Sequence, residues 1–332
     1  ARHLLTYLAA ILRVYNRYGR RDNKYKARIK ILVRAFGADG FAQRVEAEWA
    51  QLADGAETLT EEEMARVARR FTQPDFDTLE DAPAELDAAL ATDPAFARWH
   101  ANNVRAHARP GYASVILSLK HTGIAPGDAS DEQMEAVAAW ADAFGHSEIR
   151  VTHEQNLVLP HVRQRDLPAL YRHAVEERLA TANAGRLTDL VCCPGGDFCS
   201  LANAKSIPVA EAIQRRFADA GKLDALGELQ LNISGCMNAC GHHHVGHIGI
   251  LGVDKKGEEF YQISLGGDAS AAAAIGRILG PSFRRDEVPE VIERITDLYL
   301  ELRTEGERFV DCVRRLGVGP FKEGIYADPA AA

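Results

Sequence analysis

No run in this sequence approaches the roughly 18 apolar residues of a membrane span. The one stretch that invites reading as a targeting segment, Leu4 to Tyr15, is short and broken by Arg13. Basic charge is not in excess either. The chain sets 39 Lys and Arg against 47 Asp and Glu, which argues against a nucleic-acid or membrane-surface protein. Cysteine is scarce: six residues in 332, unevenly spaced and without an export signal. That usage disfavours a disulfide framework and makes a reducing, cytoplasmic compartment the expectation. The length suffices for a large core and, at roughly 150 residues per domain, suggests about two domains.

Four of the six cysteines fall into two clips, Cys193 and Cys199 in Cys-Pro-Gly-Gly-Asp-Phe-Cys, and Cys236 and Cys240 in Gly-Cys-Met-Asn-Ala-Cys-Gly. Thiolates gathered in pairs within glycine-rich turns suit a soft metal centre. Zinc clips usually hold two to four residues between their cysteines, most often two, whereas these hold five and three. An iron–sulfur centre is therefore the first expectation, with four unrelated buried thiols as the bland alternative. Cys192 and Cys312 are left over.

The clips resemble those of the sirohaem-dependent sulfite and nitrite reductases, in which Leu201, Ala202, Asn203 and Ala204 after the first pair and Asn238 inside the second also have counterparts. The likeness extends to Arg150-Val151-Thr152-His153-Glu154-Gln155-Asn156-Leu157, to Leu265-Gly266-Gly267, and to the stretch from Asp22 to Lys30, which resembles the end of that family's first half. The resemblance implies that Cys193, Cys199, Cys236 and Cys240 hold a 4Fe-4S cluster and that Cys240 is shared with the iron of a sirohaem. It also implies cofactor contacts from Asn238, Thr152, Gln155 and Asn156. The implied reaction is six-electron reduction of sulfite to sulfide in sulfur assimilation, with nitrite to ammonia as the alternative. Electrons would come from ferredoxin or an NADPH-dependent flavoprotein. Because such reductases have two repeated halves, the expectation is a second half plus the end of a first. The substrate-gripping Arg and Lys are then expected in the other half, so catalytic residues stay unassigned. For this stretch alone, an iron–sulfur electron-transfer module without its own substrate site is a further alternative.

The expected fold class is α+β, a ferredoxin-like half-module followed by a sirohaem/4Fe-4S-binding α/β domain, with a helical connector. Residues 1–36 are expected to be the end of the first-half sirohaem domain. The connector takes 37–107, the half-module 108–162 and the cluster and sirohaem-binding domain 163–332. Leu4, Leu5, Leu8, Ile11 and Leu12 have helical spacing. The seven Lys and Arg from Arg20 to Arg34 read as a solvated face or as contacts to an anionic cofactor. Tyr112 to Lys120 reads as a strand. Ser130 and Gln133 form a capping box before a helix faced by Met134, Val137, Ala141 and Phe144. Arg150 to Leu159 is a second strand, where Thr152, Gln155 and Asn156 either satisfy backbone groups or touch the cofactor. Further on, Leu167 to Ala180 and Ile207 to Ala220 read as helices, the latter introduced by Ser206 and ended near Gly221. Leu229 to Ile233 is a strand delivering Gly235 and Cys236, Ile248 to Val253 and Tyr261 to Leu265 are buried strands, and a helix from Pro289 to Glu305 closes the fold.

His242, His243, His244 and His247 follow Cys240 directly. His243 and His247, four apart, suit a zinc site. The competing reading has all four as polar neighbours of the cofactors that aid proton delivery. Metal analysis with an absorption spectrum separates the readings: iron with sulfide and a tetrapyrrole band for a reductase, iron alone for an electron carrier, zinc alone for a structural domain.

Overall fold

The computed structural model describes residues 1–327, and the chain divides into two compact units, one spanning Ala1–Asp75 and the other beginning at Phe76. The first unit is helical: α1 (Leu4–Tyr18), α2 (Ile29–Phe36), α3 (Ala38–Trp49) and α4 (Glu61–Ala68). Its small core joins α1 to α3 through Ala10, Val14, Val45 and Leu52. Small residues set that contact, and Trp49 Nε1 donates to the Oγ1 of buried Thr6 at 3.2 Å. The expected apolar face of α1 is therefore not its core face. Leu4, Leu5, Leu8 and Leu12 stay exposed, because Ala10 and Val14 are the residues turned towards α3.

The second unit holds two sheets, each with its own core. Helices α5 (Ala84–Thr92) and α6 (Pro94–Asn103) lead into β1 (Val104–Ala106) and β2 (Tyr112–Leu117). Next come α7 (Asp131–Phe144), β3 (Arg150–Val151), β4 (Leu157–Arg163) and α8 (Leu167–Glu176). The four strands are antiparallel in the order β1-β2-β4-β3, with Val115 opposite Leu159. Phe96 and Trp99 from α6, Val137 and Trp140 from α7, and Val115, Leu117 and Leu159 from the strands fill the first core. Both arms of the Ser130–Gln133 capping box form.

Three boundaries differ from expectation. No single connector covers 37–107: α3 packs within the first unit, whereas Phe96 and Trp99 carry α6 into the core of the second and β1 is a strand of its sheet. The stretch from Arg150 to Leu159 is not one strand. After β3 the chain turns back through residues 152–156, with Gln155 at φ +59°, and Val151 pairs with Leu157. Ile207 to Ala220 is not one helix either: α9 (Ile207–Arg216) stops and α10 (Ala220–Leu226) starts afresh, because the Asp219 carboxylate accepts from Lys222 N at 2.7 Å. Gly221 thus lies inside a helix.

The second sheet runs β5 (Val191–Cys192), β6 (Leu231–Ser234), β7 (Ile248–Lys255), β8 (Glu258–Leu265) and β9 (Arg277–Ile278) in that spatial order. Its first three strands are parallel and the remaining pairings antiparallel. All four residues of β6 are buried, as a strand covered on both faces requires. Val209 and Ile213 of α9 and Ile292 and Ile295 of α11 (Val288–Leu302) supply the covering layer. Two more helices, α12 (Phe309–Leu316) and α13 (Gly319–Tyr326), follow α11, so the expected closing helix is not the last. No helix among the described residues is long and apolar enough to cross a membrane.

Past β8, Asp268 accepts from Ser270 N at 2.7 Å and from Arg314 Nη2 at 2.6 Å. Burial alone would raise its pKa, but those hydrogen bonds and the guanidinium hold it at about 2. A carboxylate depressed below its ordinary value near 4 contributes stability that is full above that value and lost as pH falls through the folded pKa. Asp268→Asn should therefore lower the urea midpoint at pH 7, and the gap from wild type should close between about pH 4 and 2. In the same assay Ile250→Ala, at a fully buried sheet position, should cost about 2–5 kcal/mol. Leu8→Ala on the exposed face of α1 should cost about 0.5 kcal/mol or less.

Candidate functional site

Two neighbouring parallel strands bring the clips to one place. Cys193 directly follows β5, and Gly235 and Cys236 directly follow β6. Gly235 N donates to Cys193 Sγ at 3.1 Å, and Ser206 Oγ stands 3.5 Å from the same sulfur. Ser206 therefore does not cap α9 with its side chain, as its position before that helix suggests. The two clips are also joined through the backbone: Asn203 N and Ala204 N both donate to Gly235 O, at 2.8 and 3.1 Å. Tyr261 Oη fixes this junction by donating to Lys205 O at 2.7 Å.

The second clip is a tight turn. Ala239 N donates to Cys236 O at 3.1 Å, with Ala239 at φ +59°, and Gly241 N donates to Ser234 Oγ at 3.1 Å. Gly241 passes so close to β6 that a Cβ there would lie 1.9 Å from Ile233 O, so no other residue fits. Cys193 and Cys236 are buried, Cys199 is half-buried, and Cys240 and Asn238 are exposed. Close to them in the chain, Phe198, Leu201 and Met237 are 82, 71 and 82% exposed.

Among the described residues, no three His, Cys, Asp or Glu side chains gather to hold a single metal ion. Zinc needs such a donor set around one point, so this arrangement gives the zinc reading no support. A four-iron cluster is held by four separate thiolates. The histidines act largely through structure. His243 is buried with Nδ1 unpartnered, and burial, with His244 packed beside it, holds its pKa at about 4. His247 is also pushed down by burial, and its Nδ1 accepts from Gln230 N at 3.2 Å. Burial thus favours the neutral form of both rings. His247 O accepts from Gly266 N at 2.9 Å, joining the histidine loop to the Leu265-Gly266-Gly267 turn.

Of the two readings open for Thr152, Gln155 and Asn156, contact with protein groups is the one that the hydrogen bonds here display, while Thr152 and Asn156 also line a cleft. Asn156 is buried. Its Oδ1 accepts from Leu119 N at 3.1 Å and Lys120 Nζ at 3.0 Å, and its Nδ2 donates to Asp189 Oδ1 at 2.8 Å. The Gln155 amide is spent on the backbone of Cys192, and Thr152 Oγ1 accepts from Asn156 N at 3.2 Å. In this structure all three satisfy protein groups. Sequence reasoning missed Lys120 and Asp189, a buried pair at 3.3 Å that no spacing signals because 69 residues separate them. Burial lowers the Lys120 pKa and raises that of Asp189, each opposed by the other's charge. With Glu154 O, Gln155 O, Asn156 Oδ1 and Asp189 Oδ1 all within 3.3 Å of Nζ, the ammonium has a full set of acceptors. In the first unit, the basic run is exposed: Arg20 pairs with Asp22 and Arg21 Nη2 donates to Asn16 Oδ1.

A cleft of about 640 Å³ lies alongside, lined by Thr152, Asn156, Arg105, Arg186 and His242 among others. Arg186 reaches Asn102 Oδ1 at 2.8 Å and Arg105 Nη1 donates to Asn102 O at 2.7 Å, so one buried asparagine aligns both guanidinium groups. Glu154, Asp189 and Glu228 also line it.

The nitrite and sulphite reductase 4Fe-4S domain model matches residues 1–52 and 184–330, and the nitrite/sulfite reductase ferredoxin-like half domain matches residues 121–176. Sulfite reductase (ferredoxin) 2 of Mycolicibacterium paratuberculosis is 28% identical over 320 residues, covering 92% of this chain and 50% of that protein. Ferredoxin–nitrite reductase of Synechococcus elongatus is 27% identical over 295 residues, covering 86% and 49%. This chain thus spans about half the length of the curated relatives it matches. The Mycobacterium tuberculosis NirA protein matches in structure with a TM-score of 0.67 at 24% identity, over 96% of this chain and 53% of that one, a likeness that speaks for the fold. Since the 4Fe-4S model takes in more than half of the residues, both cysteine clips among them, the chain belongs to the nitrite and sulphite reductase 4Fe-4S domain family.

Proposed function

We propose that this chain is the cluster-bearing half of a sirohaem-dependent reductase that converts sulfite to sulfide, with Cys193, Cys199, Cys236 and Cys240 holding a 4Fe-4S cluster and Cys240 shared with the sirohaem iron. The observation that carries the reading is the 3.1 Å hydrogen bond from Gly235 N to Cys193 Sγ, which joins the two clips at the ends of adjacent parallel strands. A backbone amide aimed at a sulfur stabilises the thiolate that iron ligation requires and tunes the potential of the bound centre. Ala239 in a left-handed conformation turns the second clip back on itself, so strain is held where the ligands must be placed.

When bound, the cofactors supply one-electron steps to an iron-bound oxyanion. The protein's share is to hold, neutralise and exclude water. Phe198 and Leu201 flank Cys199 in the chain and Met237 follows Cys236, so each clip carries exposed apolar side chains next to its cysteines. Arg105 and Arg186, held by Asn102, supply cations at the cleft for an anionic ligand or for carboxylates of the macrocycle. Nitrite is the second substrate reading, favoured by the nitrite reductases among the relatives. Ferredoxin, named in both kinds of relative, is the proposed electron donor.

Cys193→Ser, Cys199→Ser and Cys236→Ser should each reduce iron and acid-labile sulfide in the anaerobically purified protein to background, since each thiolate is one of four. A variant that keeps full iron removes that residue from the ligand set. Cys240→Ser should in addition abolish magnetic coupling between the cluster and the sirohaem iron in Mössbauer spectra. Steady-state comparison of sulfite and nitrite with reduced ferredoxin then ranks the substrates, and a higher kcat/KM for nitrite overturns the sulfite assignment.

A further inference from the structure

Strand β5 is only two residues long and lies at the edge of its sheet, yet it carries the first cysteine clip at its end. On one side Cys192 pairs with Ile233 of β6. On its open side a side chain takes the place of a neighbouring strand. Gln155 Nε2 donates to Cys192 O at 2.9 Å, and Cys192 N donates to Gln155 Oε1 at 2.9 Å. One primary amide thus makes both the hydrogen bonds that a strand neighbour would make to that residue.

Gln155 is itself held for this task. Its backbone is left-handed, φ +59°, at the tip of the β3–β4 turn, and Lys120 Nζ donates to its carbonyl at 3.0 Å and to that of Glu154 at 2.6 Å. Lys120 is anchored in turn to Asp189, two residues before β5. Gly127 leaves the necessary room: a Cβ there would sit 3.0 Å from Gln155 Cβ and 3.2 Å from its Cδ. Lys120 and Gly127 thereby hold Gln155 in place, and its amide reaches Cys192, the residue that immediately precedes Cys193.

From this geometry we infer that Gln155 is a positioning residue for the iron–sulfur centre, clamping the Cys192 backbone so that Cys193 presents its sulfur at the mouth of the two clips. The inference rests on the reading of Cys193 as a cluster ligand. It assigns the half-domain a direct part in retaining the centre, through one side chain and not through contact with it.

The test uses the cluster-loaded protein and two variants that keep a polar side chain at the left-handed position. Gln155→Glu keeps the length but loses the donor and sets a carboxylate oxygen against Cys192 O. Gln155→Asn keeps the amide but lacks the reach. Both should release iron to a chelator about tenfold faster than wild type under anaerobic conditions, the order expected for losing two neutral hydrogen bonds. Amide hydrogen exchange should quicken over residues 191–194 and stay unchanged over β7 and β8. Wild-type release with wild-type exchange at 191–194 in both variants overturns the inference. If a variant does not load, exchange in its apo form decides, and unchanged protection at 191–194 again overturns it. Cys193→Ser runs in parallel: cluster loss there beside unaltered Gln155 variants removes only the role of Gln155, whereas cluster retention in Cys193→Ser removes the ligand assignment itself.

Discussion

The parallel pairing of β5 with β6 is the constraint on which the site depends. Cys193 and Cys236 are far apart in sequence and become neighbours only because Cys192 lies opposite Ile233, so that both strands end at the same level. Everything around them secures that alignment. Gly235 bonds to the Cys193 sulfur, Asn203 and Ala204 hold the Gly235 carbonyl, and Gly241 lies against β6 where a side chain would collide. Strand β6, buried at all four positions, makes the alignment stiff, since slipping by one residue would turn Leu231 and Ile233 away from their core.

The clips were legible in the sequence because cysteine is chemically distinctive and their glycine-flanked spacing is local. Strand β6 and the capped helix α7 were legible for the same reason: alternating apolar residues and a four-residue cap are written within one segment. What was not legible depends on distance. The Lys120–Asp189 pair spans 69 residues and leaves no trace in either neighbourhood. The break at 152–156 is marked only by the polar run Thr-His-Glu-Gln-Asn between apolar residues, and its turn is made by a left-handed glutamine, a residue type that does not announce that conformation. The leucines of α1 form a convincing helical stripe, yet the smaller Ala10 and Val14 won the contact with α3. Periodicity identifies a helix more surely than it identifies which face is covered.

The polar residues of the Thr152–Asn156 segment show how one pattern serves two readings. A Gln and an Asn at a strand end suit either a ligand or an unpaired backbone, and only placement decides. Here the hydrogen bonds of both side chains go to protein partners: those of Gln155 to the backbone of Cys192, and those of Asn156 to Leu119, Lys120 and Asp189. A fully satisfied polar network is stiff and specific to one arrangement, so this segment ties the first sheet of the second unit to the edge of the second sheet.

The two separate cores of the second unit bear on how the site is assembled. Both sheets join distant segments: Val115 lies opposite Leu159 in the antiparallel one, and the Gly235–Cys193 contact beside the other closes a span of 42 residues. Loop-closure entropy penalises that contact until α9 and β6 have docked. The four clip cysteines, the proposed ligands, come together only once β5 and β6 have paired, so iron delivered before that pairing would meet one clip at a time.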